Sequence, residues 1–125
     1  MIKEKESIRP ILPNIGSMEH KNAEEKFQNT TLRPILKLQH DLLVAFFENY
    51  LSHKKMDMLT FNNAKKIEVV SGIFKNDNSF KTELRGLIIG HFTVEEYQTY
   101  LPIASDANKR ILAMAKERLL SVLLA

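Results

Sequence analysis

An all-α bundle of about five helices, preceded by a mobile N-terminal tail, is the fold this sequence predicts. Three observations carry it. Apolar residues recur with a 3.6-residue period through most of residues 22–125. Helix-start residues precede the periodic stretches: Asp77 and Asn78 before Phe80, Thr93 three residues before Glu96, Thr60 before Phe61. No stretch shows the two-residue alternation, bounded by turn residues, that marks a half-buried strand. Ile67–Ile73 and Leu87–Ile89 have the propensity of strands, but helix caps flank both.

Residues 1–21 read as the tail. They hold Pro10, Pro13 and Gly16 among alternating lysines and glutamates, with no periodicity. Within them Ile8-Arg9-Pro10-Ile11-Leu12 nearly repeats Leu32-Arg33-Pro34-Ile35-Leu36. A near-repeat this short is either coincidence or a tail that takes the groove of the second copy, in cis or on a neighbouring subunit. Residues 22–125 are expected to form one helical domain.

That domain opens with a short helix near 23–30, capped by Asn22. A long helix follows over about 33–54, because Pro34 fits the first turn of a helix and not its interior. A single kinked helix is the alternative. Ile35, Leu38, Leu42, Phe46 and Tyr50 form one stripe, with Leu36, Leu43, Phe47 and Leu51 beside it. So wide an apolar surface belongs at the centre of a bundle.

The next helix, from Thr60 to about Phe74, should bury Phe61, Ala64, Ile67, Val70 and Phe74. The one after it places Phe80, Leu84, Leu87, Ile88 and His91 on one face. Gly86 and Gly90 lie one turn apart on this helix. Since glycine weakens a helix interior by about 1 kcal/mol relative to alanine, the pair suggests a second helix crossing at close range. Gly90 is alternatively the helix end.

Thr93 and Glu96 make a capping box, and Phe92 and Tyr97 stand at the positions of a hydrophobic staple, so a new helix starts at Val94. Pro102 ends it. Ser105 or Asp106 is expected to cap the last helix, with Ala107, Ile111, Met114, Ala115, Leu119 and Val122 inward and Lys109, Arg110, Lys116 and Arg118 mostly outward.

Chemistry-bearing motifs are sparse. Absence of cysteine removes disulfides and thiolate metal sites. The four histidines include no pair at helical spacing and no HExxH, so a metal would need His40, His91 and a carboxylate such as Glu83 to meet across helices. GxSxG, Walker and GxGxxG patterns are missing. Glu96 is accounted for by capping and Glu95 by the helix dipole. No catalytic residue, metal ligand or cofactor is therefore assigned. The longest apolar run, Leu42–Phe47, is far short of the roughly 20 residues that span a bilayer. The opening MIKEKES develops no secretory segment. The expectation is a cytoplasmic protein with no membrane partner.

A formal charge of +3 and a pI near 9.2 permit nucleic acid as a partner without requiring it. Lys65, Lys66, Lys75, Lys81 and Arg85 gather around one helix pair and would be the phosphate-tracking face, although Glu68, Asp77 and Glu83 interrupt them. The other candidate binding positions are the Arg33-Pro34 entry with Lys37, and the Gly86/Gly90 face.

Two stretches, FQNTTLRPILKLQHDLL (Phe27–Leu43) and ELRGLIIGHFTVEEYQTYL (Glu83–Leu101), resemble a set of small Bacteroidota proteins that carry the label glyoxalase. The likeness runs from about residue 22 to the C-terminus. The label would imply a glyoxalase-type lyase. Enzymes of that kind have a repeated βαβββ fold with a metal held by His and Glu on strands. This sequence offers neither strands nor that ligand set, so no site residue is carried over. The leading expectation is a non-enzymatic helical interaction module that binds a protein partner or itself. A basic RNA- or ribosome-associated protein comes second, and the lyase third.

Overall fold

The last helix is the element against which the others pack. In a computed structural model that describes residue 5, residues 8–10 and residues 22–125, the protein is an all-α bundle with no strand among the described residues. We number its helices α1 (Ala23–Phe27), α2 (Arg33–Leu38), α3 (His40–His53), α4 (Asn63–Asn76), α5 (Asn78–Ile89), α6 (Val94–Tyr100) and α7 (Ala104–Leu123). Most of the expected tail lies outside the described residues.

On α7 the buried residues are Ala107, Ile111, Ala115 and Leu119, one every four positions. The two alanines let neighbouring helices approach closely, while Ile111 and Leu119 fill the space between them. Helices α3, α4 and α5 all pack on this stripe, and α1 meets it at one end.

At the other side of the core, Phe80 of α5 gathers four rings. Its centroid lies 5.4 Å from Phe46, 6.0 Å from Phe47, 4.7 Å from Tyr50 and 5.2 Å from Phe74. Three helices are thereby tied by offset and edge-on aromatic contacts, which add stabilisation beyond the area they bury. Tyr50 keeps its hydroxyl paired by donating to Asp77 Oδ2 at 2.6 Å. Burial first, and then this hydrogen bond to a carboxylate, push the Tyr50 pKa up to about 12. Asp77 serves twice, since its other oxygen accepts from Phe80 N at 3.0 Å and caps α5.

Pro34 shapes the first third of the domain. The chain stays helical from Ala23 through Leu38, with a π-helical turn at Gln28–Leu32 where Arg33 N bonds to Gln28 O. A proline ring collides with the carbonyl four residues back, here that of Thr30, and widening the turn relieves the collision. The expected split between a helix near 23–30 and one from about 33 is therefore absent, the chain being helical across it. The long helix expected over 33–54 is instead interrupted at Gln39 (ψ 8°), whose carboxamide donates to Leu87 O on α5 at 3.2 Å.

Other boundaries also moved. Asn62, not Thr60, caps α4 by accepting from Lys65 N. Thr60 belongs to a 3-10 turn, Met58–Thr60. Starting later, α4 buries Val70, Ile73 and Phe74, while Ala64 and Ile67 on its first turns are exposed beyond the core. Helix α7 begins straight from the 3-10 turn Leu101–Ile103, with no side-chain cap from Ser105 or Asp106. Helix α3 ends in a Schellman arrangement, Met56 N to Leu51 O and Lys55 N to Ser52 O, with Lys55 at φ 57° in the place glycine usually takes.

The two glycines of α5 do not mark a helix crossing. Gly86 is exposed, and a Cβ there would meet nothing within 4 Å. Gly90 is also exposed and has right-handed φ −58°, but a Cβ built on it would lie 2.9 Å from Gly86 O, the carbonyl that its own N–H bonds. The substitutions should therefore split. Gly86→Ala is expected to raise stability by about 0.5–1 kcal/mol, and Gly90→Ala to lower it, as read by chemical denaturation. Equal effects at the two positions would contradict this account.

Candidate functional site

The turn between α5 and α6 concentrates more polar chemistry than any other place among the described residues. Thr93 and Glu96 form the expected capping box: Glu96 N donates to Thr93 Oγ1 at 3.1 Å, and Thr93 N donates to Glu96 Oε1 at 2.9 Å. Phe92 is buried, with Phe27 and Tyr100 each 5.5 Å away as its ring neighbours. Tyr97, its expected staple partner, instead stacks on Tyr100 at 5.8 Å and stays exposed.

The capping carboxylate has a further partner that the local pattern does not reveal. Arg9, 87 residues earlier, donates from Nη1 to Glu96 Oε2 at 2.6 Å and from Nη2 to Glu96 Oε1 at 2.7 Å. This is the paired fork that suits a guanidinium to a carboxylate. Nη2 also donates to His91 O at 2.6 Å, and Lys5 Nζ donates to Phe92 O at 3.0 Å. Two cations of the N-terminal segment therefore satisfy carbonyls at the C-terminal end of α5, where the helix dipole favours positive charge. The Arg9 side chain is 6% exposed.

Electrostatics follow from this packing. Burial alone would raise the Glu96 pKa, but the Arg9 hydrogen bonds and the Thr93 N–H overcome it and hold it below the usual value. Burial, followed by the charges of Arg9 and Lys5, lowers that of His91, whose Nδ1 is buried without a hydrogen-bond partner among the described residues. A neutral imidazole fits a site already holding two cations.

Beside this turn runs a cleft of about 400 Å³ between α1, the π-helical turn and α6, bordered by Phe27, Thr30, Thr31, Glu95 and Thr99. Helix α6 exposes Val94 (62%) and Tyr97 (44%), and the 3-10 turn that follows it exposes Leu101 (52%). Their spacing of i, i+3 and i+7 aligns them as one apolar stripe facing solvent.

The positions singled out from sequence are dispersed. Lys65 faces Glu68 at 3.7 Å and lies over the Phe61 ring. Lys66 Nζ donates to Leu123 O at 3.0 Å, and Lys81 Nζ to Lys75 O at 3.3 Å, so both close helix ends. Arg85 leans on Thr82 Oγ1 at 3.4 Å. Lys75 is exposed. Most of these residues make contacts within the domain. His40 lies beside Arg118 and His91 beside Arg9, and no three potential metal ligands converge among the described residues. Arg33 lines a separate cleft with Arg118, while Lys37 is exposed one turn further along α2–α3. Within the near-repeat Ile8 is exposed where Leu32 is fully buried, and residues 11 and 12 lie outside the described residues.

No family model, curated protein or solved structure matches this chain.

Glu96 should report on the Arg9 clasp separately from the cap, since glutamine also completes a capping box. Glu96→Gln is expected to lower stability by roughly 1.5–3 kcal/mol, the range for hydrogen bonds to charged groups, and to make a further Arg9→Ala change cost less than it does in wild type, the Arg9 bond to His91 O remaining. The folded pKa of Glu96 lies below its unfolded value. Its contribution is therefore present above the ordinary carboxylate range and is lost as pH falls through the folded pKa. Denaturation of wild type and Glu96→Gln across acidic pH checks this: the gap should close at low pH, and a constant gap would contradict it.

Proposed function

We propose that this chain is a non-enzymatic helical interaction module whose partner is a protein surface, a second copy of itself being the simplest case. The observation that carries the reading is the solvent-facing stripe of Val94 and Tyr97 on α6 and Leu101 in the turn that follows it. Single exposed apolar residues are ordinary, but an aligned row of large ones is a feature of docking faces. Tyrosine is among the residues that most often dominate binding energy at such faces. The capping box and the Arg9–Glu96 clasp support it further, because they fix the start of α6 before any partner arrives, and binding then costs less ordering. The proposal places the chain in the cytoplasm and retains its resemblance, through Phe27–Leu43 and Glu83–Leu101, to the small Bacteroidota proteins. No helix among the described residues is long and apolar enough to cross a membrane.

The test is sedimentation velocity over a wide concentration range. Wild type is expected to self-associate, while Tyr97→Glu and Leu101→Glu remain monomeric with melting temperatures within a few degrees of wild type. A wild type that stays monomeric throughout removes self-pairing. A pull-down with and without RNase then decides the rest. A protein partner that survives RNase and is lost in Tyr97→Glu sustains the reading, and recovery that depends on RNA overturns it.

A further inference from the structure

Arg33 on α2 and Arg118 on α7 are 85 residues apart in sequence, yet both line one cleft of about 260 Å³ with Leu36, Met114, Glu117 and Ser121. Neither guanidinium is in an ion pair among the described residues. Arg33 Nε donates to the neutral amide of Asn29 at 2.9 Å, and Arg118 Nη1 lies 3.4 Å from His40 Nδ1. In that pairing the imidazole nitrogen accepts, so His40 is a positioning residue for Arg118. Glu117 lines the same cleft, so two positive charges stand against one negative charge there.

The two like charges repel, with solvent at the exposed Arg33 screening part of the effect. Burial, followed by the charge of Arg33, lowers the pKa of Arg118, with Glu117 acting in the opposite sense. An anion between the two guanidiniums would reverse the balance, and the donor fork of arginine matches the oxygens of a carboxylate or a phosphate. Of the remaining lining, Met114 is a half-buried, adaptable thioether, Ser121 adds a hydroxyl, and Leu36 is buried beneath them. The volume falls just below the ~300–1,000 Å³ typical of sites for drug-sized molecules, so the occupant is smaller than those. Lys37, exposed one turn from Arg33 on the same helical face, adds positive potential nearby.

We propose that this cleft binds a small anionic molecule, an oxyanion head on a short apolar body. Arg33 and Arg118 grip the head, and Met114 receives the body. The proposal is independent of the α6 stripe.

The experiment follows the arginine Nε–Hε signals of the full chain by NMR at constant ionic strength, during titration with hexanoate, hexyl phosphate and inorganic phosphate. Saturable shifts of Arg33 and Arg118 are expected with both hexyl compounds, and the tighter of the two assigns the head as carboxylate or phosphate. Inorganic phosphate should bind more weakly than hexyl phosphate, and equal affinity would overturn the apolar half of the site. Arg33→Gln and Arg118→Gln should each weaken binding about tenfold. Glu117→Gln, which removes the opposing charge and leaves both arginines in place, should tighten it severalfold. Absence of saturable shifts with all three probes, unchanged affinity in the arginine variants, or weaker binding in Glu117→Gln would overturn the proposal.

Discussion

One seam constrains this fold: the row Ala107, Ile111, Ala115, Leu119 along α7, on which α3, α4 and α5 close. A helix of 20 residues is long enough to serve several shorter neighbours at once. Its alternation of small and large side chains decides how near each neighbour can come. Enlarging Ala115, which is fully buried, would force side chains out of their preferred rotamers, because packed interiors leave little room. Phe80 and its four ring neighbours then set how α3, α4 and α5 meet one another. Those contacts depend on α5 being held at the right height by the seam.

At the α5–α6 turn one carboxylate does several jobs. Glu96 accepts from the Thr93 backbone, takes both ends of the Arg9 fork, and receives the Thr31 hydroxyl at 3.4 Å. Each bond satisfies a group that would otherwise be costly to bury. The arrangement joins the N-terminal segment, the π-helical turn and the start of α6 through a single side chain. It also explains how a helix of seven residues, too short to be stable alone, keeps a fixed direction.

What the sequence disclosed was local. The capping box at Thr93, the cap at Asp77 and most of the inward faces of α5 and α7 are written in residues three or four apart, and the structure holds them where the pattern put them, with Val122 near the end of α7 exposed instead. The features that were missed are non-local or lack a marker. The break at Gln39 carries no proline or glycine, and the carboxamide there reaches Leu87 O, 48 residues on. The cap after α3 uses Lys55 where glycine is the usual signal. The spacing of Gly86 and Gly90 suggested a helix crossing, whereas Gly90 stands at the end of α5, the other reading its position allowed. Among the candidate positions, Arg33 was visible as an entry residue, but its meeting with Arg118 needs the tertiary fold. The same holds for Arg9. It was noticed only as part of a near-repeat, and nothing within its own segment points to Glu96.

Arg9 and Arg118 show how one residue type takes opposite roles under the same physics. Both are drawn out of bulk water by the fold. Arg9 meets a carboxylate in bidentate geometry and a helix-end carbonyl, so its charge is compensated and its position explained by stability alone. Arg118 meets a neutral ring nitrogen and the field of a second guanidinium, with one carboxylate nearby but outside pairing distance. Stability does not account for that arrangement, since turning Arg118 toward solvent or replacing it with an apolar residue would relieve the repulsion and keep the packing. Uncompensated charge held at a cleft is therefore the more informative of the two. The closed pair accounts for how the domain holds its shape, and the open pair marks where that shape has room for something else.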